Sequence, residues 1–156
     1  MLFHKYASPK VFYTLAGQLI PWFAVATLIL LGYGLYQGLF VAPPDYQQGE
    51  SVRIMFVHVP AAWMSMFVYM VMASAGAIGL IWNMRLADMA ATASAPIGAS
   101  FTLLALVTGS LWGKPMWGTW WAWDARLTSE LLLFFLYLGF MALQAAIDDP
   151  RRAARA

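Results

Sequence analysis

The chain has 156 residues, 62% of them hydrophobic and only 10% charged, with a formal net charge of +2 and no cysteine. A soluble domain carries about 25% charged residues, so a water-soluble globule is excluded, and so small a net charge gives no basis for a nucleic-acid partner. Disulfides, zinc–thiolate sites and thioether attachment of a cofactor to this chain are excluded with the cysteines. No Asp, Glu, Lys or Arg occurs in 11–44, 54–84, 89–113 or 131–147. A helix rises ~1.5 Å per residue and needs about 20 apolar residues to cross the hydrocarbon of a bilayer. Each uncharged run is long enough. The sequence therefore predicts an all-α integral membrane protein, a single membrane domain over 1–156 with transmembrane helices near 18–40, 55–82, 92–112 and 128–147.

In chain order, a short polar segment, MLFHKYASPK, precedes the first span, which reads as a signal anchor because no small-residue cleavage site follows it. Pro21 is expected in its first turn, where a missing N–H costs little, and Gly34 with Gly38 forms a small-xxx-small pair suited to close helix approach. The connection VAPPDYQQGESVR has the composition of a non-helical loop. The second span is rich in methionine and aromatics, with Pro60 near its start, and NMRLADM makes a tight connection to the third. There Ala87, Ala91, Ala95 and Ala99 repeat at helical spacing, and Pro96 predicts a kink. Thr128 or Ser129 is expected to cap the fourth span, with Glu130 in its first turn; Asp148-Asp149-Pro150 ends it.

Positive residues near span ends prefer the cytoplasmic side. Lys5, Lys10, Arg85, Arg151, Arg152 and Arg155 lie on the side of the two termini, against Arg53, Lys114 and Arg126 on the other. Both termini are therefore predicted to be cytoplasmic, with the loops 41–53 and 113–127 on the outer face.

Five of the eight tryptophans, Trp112, Trp117, Trp120, Trp121 and Trp123, fall in the segment WGKPMWGTWWAWDARLTSE, residues 112–130. Tryptophan favours the membrane interface, and an ordinary aromatic belt accounts for one or two. Five on one short segment argue instead for an apolar shelf suited to a flat conjugated ligand. Lys114 and Arg126 can pair with acidic groups on the rim of such a ligand, and Asp124 can orient Arg126 or the loop backbone; plain solvation or an Asp124–Arg126 contact is the bland alternative, preferred for Lys114. A flat apolar macrocycle with an anionic rim describes haem, whose iron needs an axial ligand, often histidine. Of the two histidines, His4 reads as a solvated terminal residue. His58, in IMFVHVPAAW, lies within a span near its outer end, where an ionisable group is costly and marks a functional site. The alternative is a neutral histidine bonded to a backbone carbonyl between helices. Met55, Met64, Met66 and Met116 are nearby, but methionine in an apolar protein is more often adaptable packing than a ligand.

These residues carry a resemblance. WGKPMWGTWWAWDARLTSE resembles the tryptophan-rich "WWD" signature of the haem-handling proteins of cytochrome c maturation, and its continuation through Arg126, Leu127, Thr128 and Ser129 resembles the CcmC family in particular. DYQQGESVRIMFVHVPAAWMSM and APIGASFTLLALVTGS are similar to the same family. The resemblance implies a bacterial inner-membrane protein that presents haem b (iron protoporphyrin IX), transiently bound, on the periplasmic face. It implies hand-over to a membrane-anchored haem chaperone, CcmE, with the small membrane protein CcmD and the ABC transporter CcmA/CcmB as further partners. His58 matches the first of two axial histidines, and Trp117, Trp120, Trp121, Trp123, Asp124 and Arg126 fall on the family's loop. The second histidine lies in the family between two further spans, so this chain is expected to be the first part of a six-span bundle. No nucleophile–base pair, paired carboxylates or phosphate-binding glycine loop is present, so no enzyme is predicted. A transporter subunit for haem or another small molecule, or a structural assembly subunit using the aromatic loop as a docking surface, are the alternatives.

Overall fold

The computed structural model describes residues 8–153, apart from the side chains of residues 150 and 151. His4, Lys5 and Arg155 lie outside the described residues. The chain forms four long helices, α1 (Pro9–Tyr36), α2 (Val52–Trp82), α3 (Arg85–Trp117) and α4 (Ala125–Ala146), followed by one short turn, α5 (Pro150–Ala153). All four long helices have the length and hydropathy to cross a membrane. The protein is an all-helical, multi-pass membrane protein.

Each long helix begins before the uncharged stretch that announced it, and α3 outruns its stretch at both ends. α1 begins at Pro9, so Pro21 lies in the helix interior rather than in the first turn. Its end widens into a π-helical turn, Gln37–Val41. α3 spans Arg85–Trp117 where 92–112 was expected, and it includes Lys114 and Pro115. The reason is physical: long basic side chains in terminal turns carry their heads to the headgroup layer, so absence of charge marks hydrocarbon depth and not helix length. α4 begins at Ala125, and its cap is Asp124 rather than Thr128 or Ser129: Asp124 Oδ1 accepts the Leu127 N–H at 2.8 Å. Glu130 consequently lies beyond the first turn. The expected tight connection between α2 and α3 is two residues, Asn83 and Met84, with Asn83 left-handed at φ 52°, a conformation asparagine adopts readily.

α2 and α3 share the largest interface, and α4 packs on α3. The interface is made possible by small residues. Ala91, Ala95, Gly98, Thr102, Ala105 and Gly109 are all buried, at alternating spacings of four and three along α3, the seam that lets helix backbones approach in lipid. Ala91, Ala95 and Ala99 pack with Met72 and Ala75 of α2 and with Tyr137 of α4. Tyr137 is fully buried, and its hydroxyl donates to the Ser65 carbonyl of α2 at 2.8 Å, so one side chain ties α4 to α2 across α3. α1 stands beside this three-helix body with none of its side chains buried. Of the pair Gly34–Gly38, only Gly38 is closely approached, by the Phe56 side chain of α2.

Candidate haem-binding site

The tryptophan-rich segment is half helix and half loop. Trp112, Lys114, Met116 and Trp117 lie on the last turns of α3, and only Gly118–Asp124 connect it to α4. Gly118 ends α3 at φ 77°, a left-handed position where a Cβ is unfavourable, and its N–H reaches the Lys114 carbonyl at 3.0 Å. Lys114 Nζ in turn donates to the Gly118 carbonyl at 3.0 Å and sits 5.8 Å over the Trp120 ring. The indoles pack edge to face in two pairs: Trp112 with Trp117 at 5.0 Å between centroids, and Trp121 with Trp123 at 5.4 Å. Arg126 lies 5.2 Å from the Trp117 ring centre, a cation–π arrangement. Trp117, Trp120 and Trp123 are exposed; Trp123 is 78% so. Trp121 is half-buried, and its Nε1–H has no acceptor among the described residues.

The other loop supports this shelf. Asp45 Oδ1 accepts the backbone N–H groups of Gln47 and Gln48 at 2.9 and 2.8 Å, and Asp45 and Gly49 exchange backbone hydrogen bonds. The tight turn presents Gln48, whose Oε1 accepts the Trp112 indole N–H at 2.9 Å. Arg53, paired with Glu50, donates to the carbonyls of Gly38 and Leu39 in the π-helical turn at 3.3 and 2.8 Å. Gln48 went unremarked in the sequence because nothing in its neighbourhood says that it meets a residue 64 positions away.

Asp124 serves two partners at once. One oxygen caps α4; the other accepts from Arg126 Nη2 and Nε at 2.9 and 3.1 Å. The Asp124–Arg126 contact anticipated as the bland reading is therefore present, alongside the capping role. The Leu127 N–H and the adjacent guanidinium hold the Asp124 carboxyl below the usual carboxylate range. A depressed pKa contributes stability that is complete above the ordinary value of about 3.9 and is lost as pH falls through the lower folded-state value. Tryptophan emission of the detergent-solubilised protein is expected to hold steady from neutral pH to about 5, then shift in acid. Asp124→Asn, still able to cap, should lack this acid step, and an identical acid limb in the two proteins would remove Asp124 from the loop's ordering.

His58 lies deeper than the shelf. Its Nδ1 is 3.0 Å from the Ala105 carbonyl oxygen and 3.0 Å from Thr108 Oγ1, both on α3. The ring lies against Gly109, where an added Cβ would stand 3.1 Å from His58 Cε1 and 3.2 Å from Leu127 Cδ2. At 1.5 Å per residue, Gly109 is about 4.5 Å along α3 from Trp112 and about 12 Å from Trp117, so the histidine sits one to two turns beneath these two indoles. At the start of α4, Asp124 is one turn from Leu127, whose side chain meets Gly109 beside His58. A carbonyl only accepts, so Nδ1 carries the hydrogen; Thr108 spends its own hydrogen on the Leu104 carbonyl at 2.6 Å and therefore also accepts. The lone pair is on Nε2, which makes no hydrogen bond among the described residues. Among them no three of His, Asp and Glu gather to hold a bare metal ion. A single imidazole suits an iron that brings its other ligands in its own macrocycle.

The family model described as CcmC, heme exporter protein C, matches residues 2–156. The chain is 63% identical over 150 residues to heme exporter protein C of Bradyrhizobium diazoefficiens, covering 96% of this chain and 57% of that protein. It is 58% identical over 153 residues to heme exporter protein C of Escherichia coli K12, covering 98% of this chain and 62% of that protein. Against the Paracoccus denitrificans protein of the same name it is 47% identical over 150 residues, 96% of this chain and 62% of the relative. The chain thus spans about three-fifths of the length of these curated relatives. On a match that runs through α1–α4 and both connecting loops, the chain belongs to the CcmC, heme exporter protein C, family.

Proposed function

We propose that this protein binds haem b as transient cargo at the outer end of its helices and passes it to a haem chaperone, CcmE, during cytochrome c maturation. The observation that carries the reading is the His58 imidazole. A bidentate set of acceptors pins its Nδ1–H and leaves the Nε2 lone pair for iron, the arrangement by which proteins usually orient a metal-binding histidine. Trp117, Trp120, Trp121 and Trp123 supply the apolar face for the macrocycle. Arg126 and the unpartnered Trp121 N–H are the donors for its propionates, while Lys114 is spent on the Gly118 carbonyl. Asp124 holds the loop against α4 and aims Arg126. The protein acts as a binding and transfer component, not an enzyme, in the bacterial inner membrane with both loops periplasmic, alongside CcmD and the CcmA/CcmB transporter.

A transmembrane passage for haem would be lined with polar groups at depth. The buried hydroxyls of Ser65, Thr102 and Thr108 each donate to a carbonyl of their own helix, which favours a site at one face over a path through the bundle. Stacking contacts contribute about 1 kcal/mol each, so replacing both Trp120 and Trp123 with leucine should weaken haem binding roughly 30-fold, read by Soret titration of the detergent-purified protein. Unchanged haem affinity with lost CcmE co-purification would instead make the shelf a protein-docking surface.

A further inference from the structure

Thr108 lies one turn before Trp112 on α3 and is buried, with 8% of its surface exposed. Its hydroxyl is not a passive occupant of the helix interface. The hydrogen goes to the Leu104 carbonyl at 2.6 Å, which turns an oxygen lone pair toward His58 Nδ1, 3.0 Å away. The Ala105 carbonyl contributes the second acceptor at the same distance. That carbonyl belongs to the α3 backbone, so mutation of side chains cannot remove it. Among the described residues Thr108 is the one side chain that bonds the imidazole N–H. Gly109, next in sequence, offers a bare surface to Cε1 on the same ring. The ring is thus held at two neighbouring atoms, one by hydrogen bonds and one by contact.

We propose that Thr108 is a positioning residue for His58: its hydroxyl fixes the rotation and tautomer of the imidazole and, by accepting from Nδ1–H, makes Nε2 a stronger donor to haem iron. This rests on His58 being the iron ligand. Groups that accept from the second nitrogen of a ligating histidine raise its basicity, and their loss costs roughly 10–100-fold in metal affinity. Since the Ala105 carbonyl remains, the lower end of that range applies.

The test compares Thr108→Val, which keeps the β-branched shape and drops the hydroxyl, with Thr108→Ser, which keeps the hydroxyl. Each is made alone and together with His58→Ala. Haemin is titrated into the detergent-purified full chain, and the Soret maximum and haem midpoint potential are recorded; far-UV circular dichroism checks that each variant is folded. The expected result is an approximately ten-fold loss of affinity in Thr108→Val, with a displaced Soret band and a raised potential. Thr108→Ser should restore all three, and Thr108→Val should have no further effect once His58 is gone. Wild-type spectrum, potential and affinity in Thr108→Val, with His58→Ala strongly impaired, would overturn the role of Thr108 and leave the ligand in place. A Thr108→Val effect that persists in the His58→Ala background would overturn it too, since the residue would then act on packing. Equal haem binding by His58→Ala and wild type would bring down the ligand assignment itself.

Discussion

His58→Ala is expected to lower haem affinity by more than the roughly 100-fold that outer partners of a metal ligand are worth, and to move the Soret band, because it removes Nε2, a nitrogen in the α2–α3 interface that makes no hydrogen bond among the described residues. The competing account is that the histidine only bonds α2 to α3 through the Ala105 carbonyl. His58→Gln separates the two. A glutamine amide retains an N–H to donate to that carbonyl but has no comparable lone pair for iron. Loss of haem in both variants, with unchanged thermal stability in His58→Gln, is the pattern that ligation predicts. Haem binding retained by both variants would sink the assignment and leave the indoles or a protein partner to explain the loop.

Four spans were legible because hydrocarbon excludes charge, and 11–44, 54–84, 89–113 and 131–147 contain none. Their ends were not, since Lys10, Arg85 and Lys114 lie inside helices, where long side chains reach water. Asp124 was read as an orienting acid and Thr128 or Ser129 as the cap. The cap is Asp124 because its own backbone is extended and its carboxylate accepts the Leu127 N–H, so that α4 begins at Ala125 rather than near residue 128. The alanine repeat was visible from Ala87 to Ala99. Its continuation through Gly98, Thr102, Ala105 and Gly109 was missed because the spacing alternates between four and three and the residues change type. That continuation is what seats His58. The seat depends on the register between α2 and α3, across 47 and 50 positions, and no local pattern in one sequence encodes a register.

The same register makes Gly98 the position where the smallest change should have the widest effect. An added Cβ at Gly98 falls within the space of the Tyr137 ring, which is fully buried, meets Tyr69 edge to face at 5.8 Å, and is tied by its hydroxyl to the Ser65 carbonyl. The ring cannot swing aside without breaking that bond, so α3 and α4 must separate. Gly98→Ala is expected to cost about 1–3 kcal/mol of bundle stability, the usual toll of overpacking, measurable as a lowered midpoint of thermal unfolding in detergent. Gly98 and Gly109 are eleven residues apart, three helical turns on one face of α3, and Ser65 is two turns from His58 on α2. Displacing α4 at Tyr137 therefore loosens the contact of Leu127 with Gly109 and the clasp of α3 on His58. Haem affinity should fall together with stability in Gly98→Ala, although the residue lies far from the shelf. Tyr137→Leu removes the ring that the new methyl group would strike, so the double variant should recover much of the loss. Coupling between the two substitutions of at least 0.5 kcal/mol is the expected mark of direct contact, whereas simple additivity would show that the two residues do not meet.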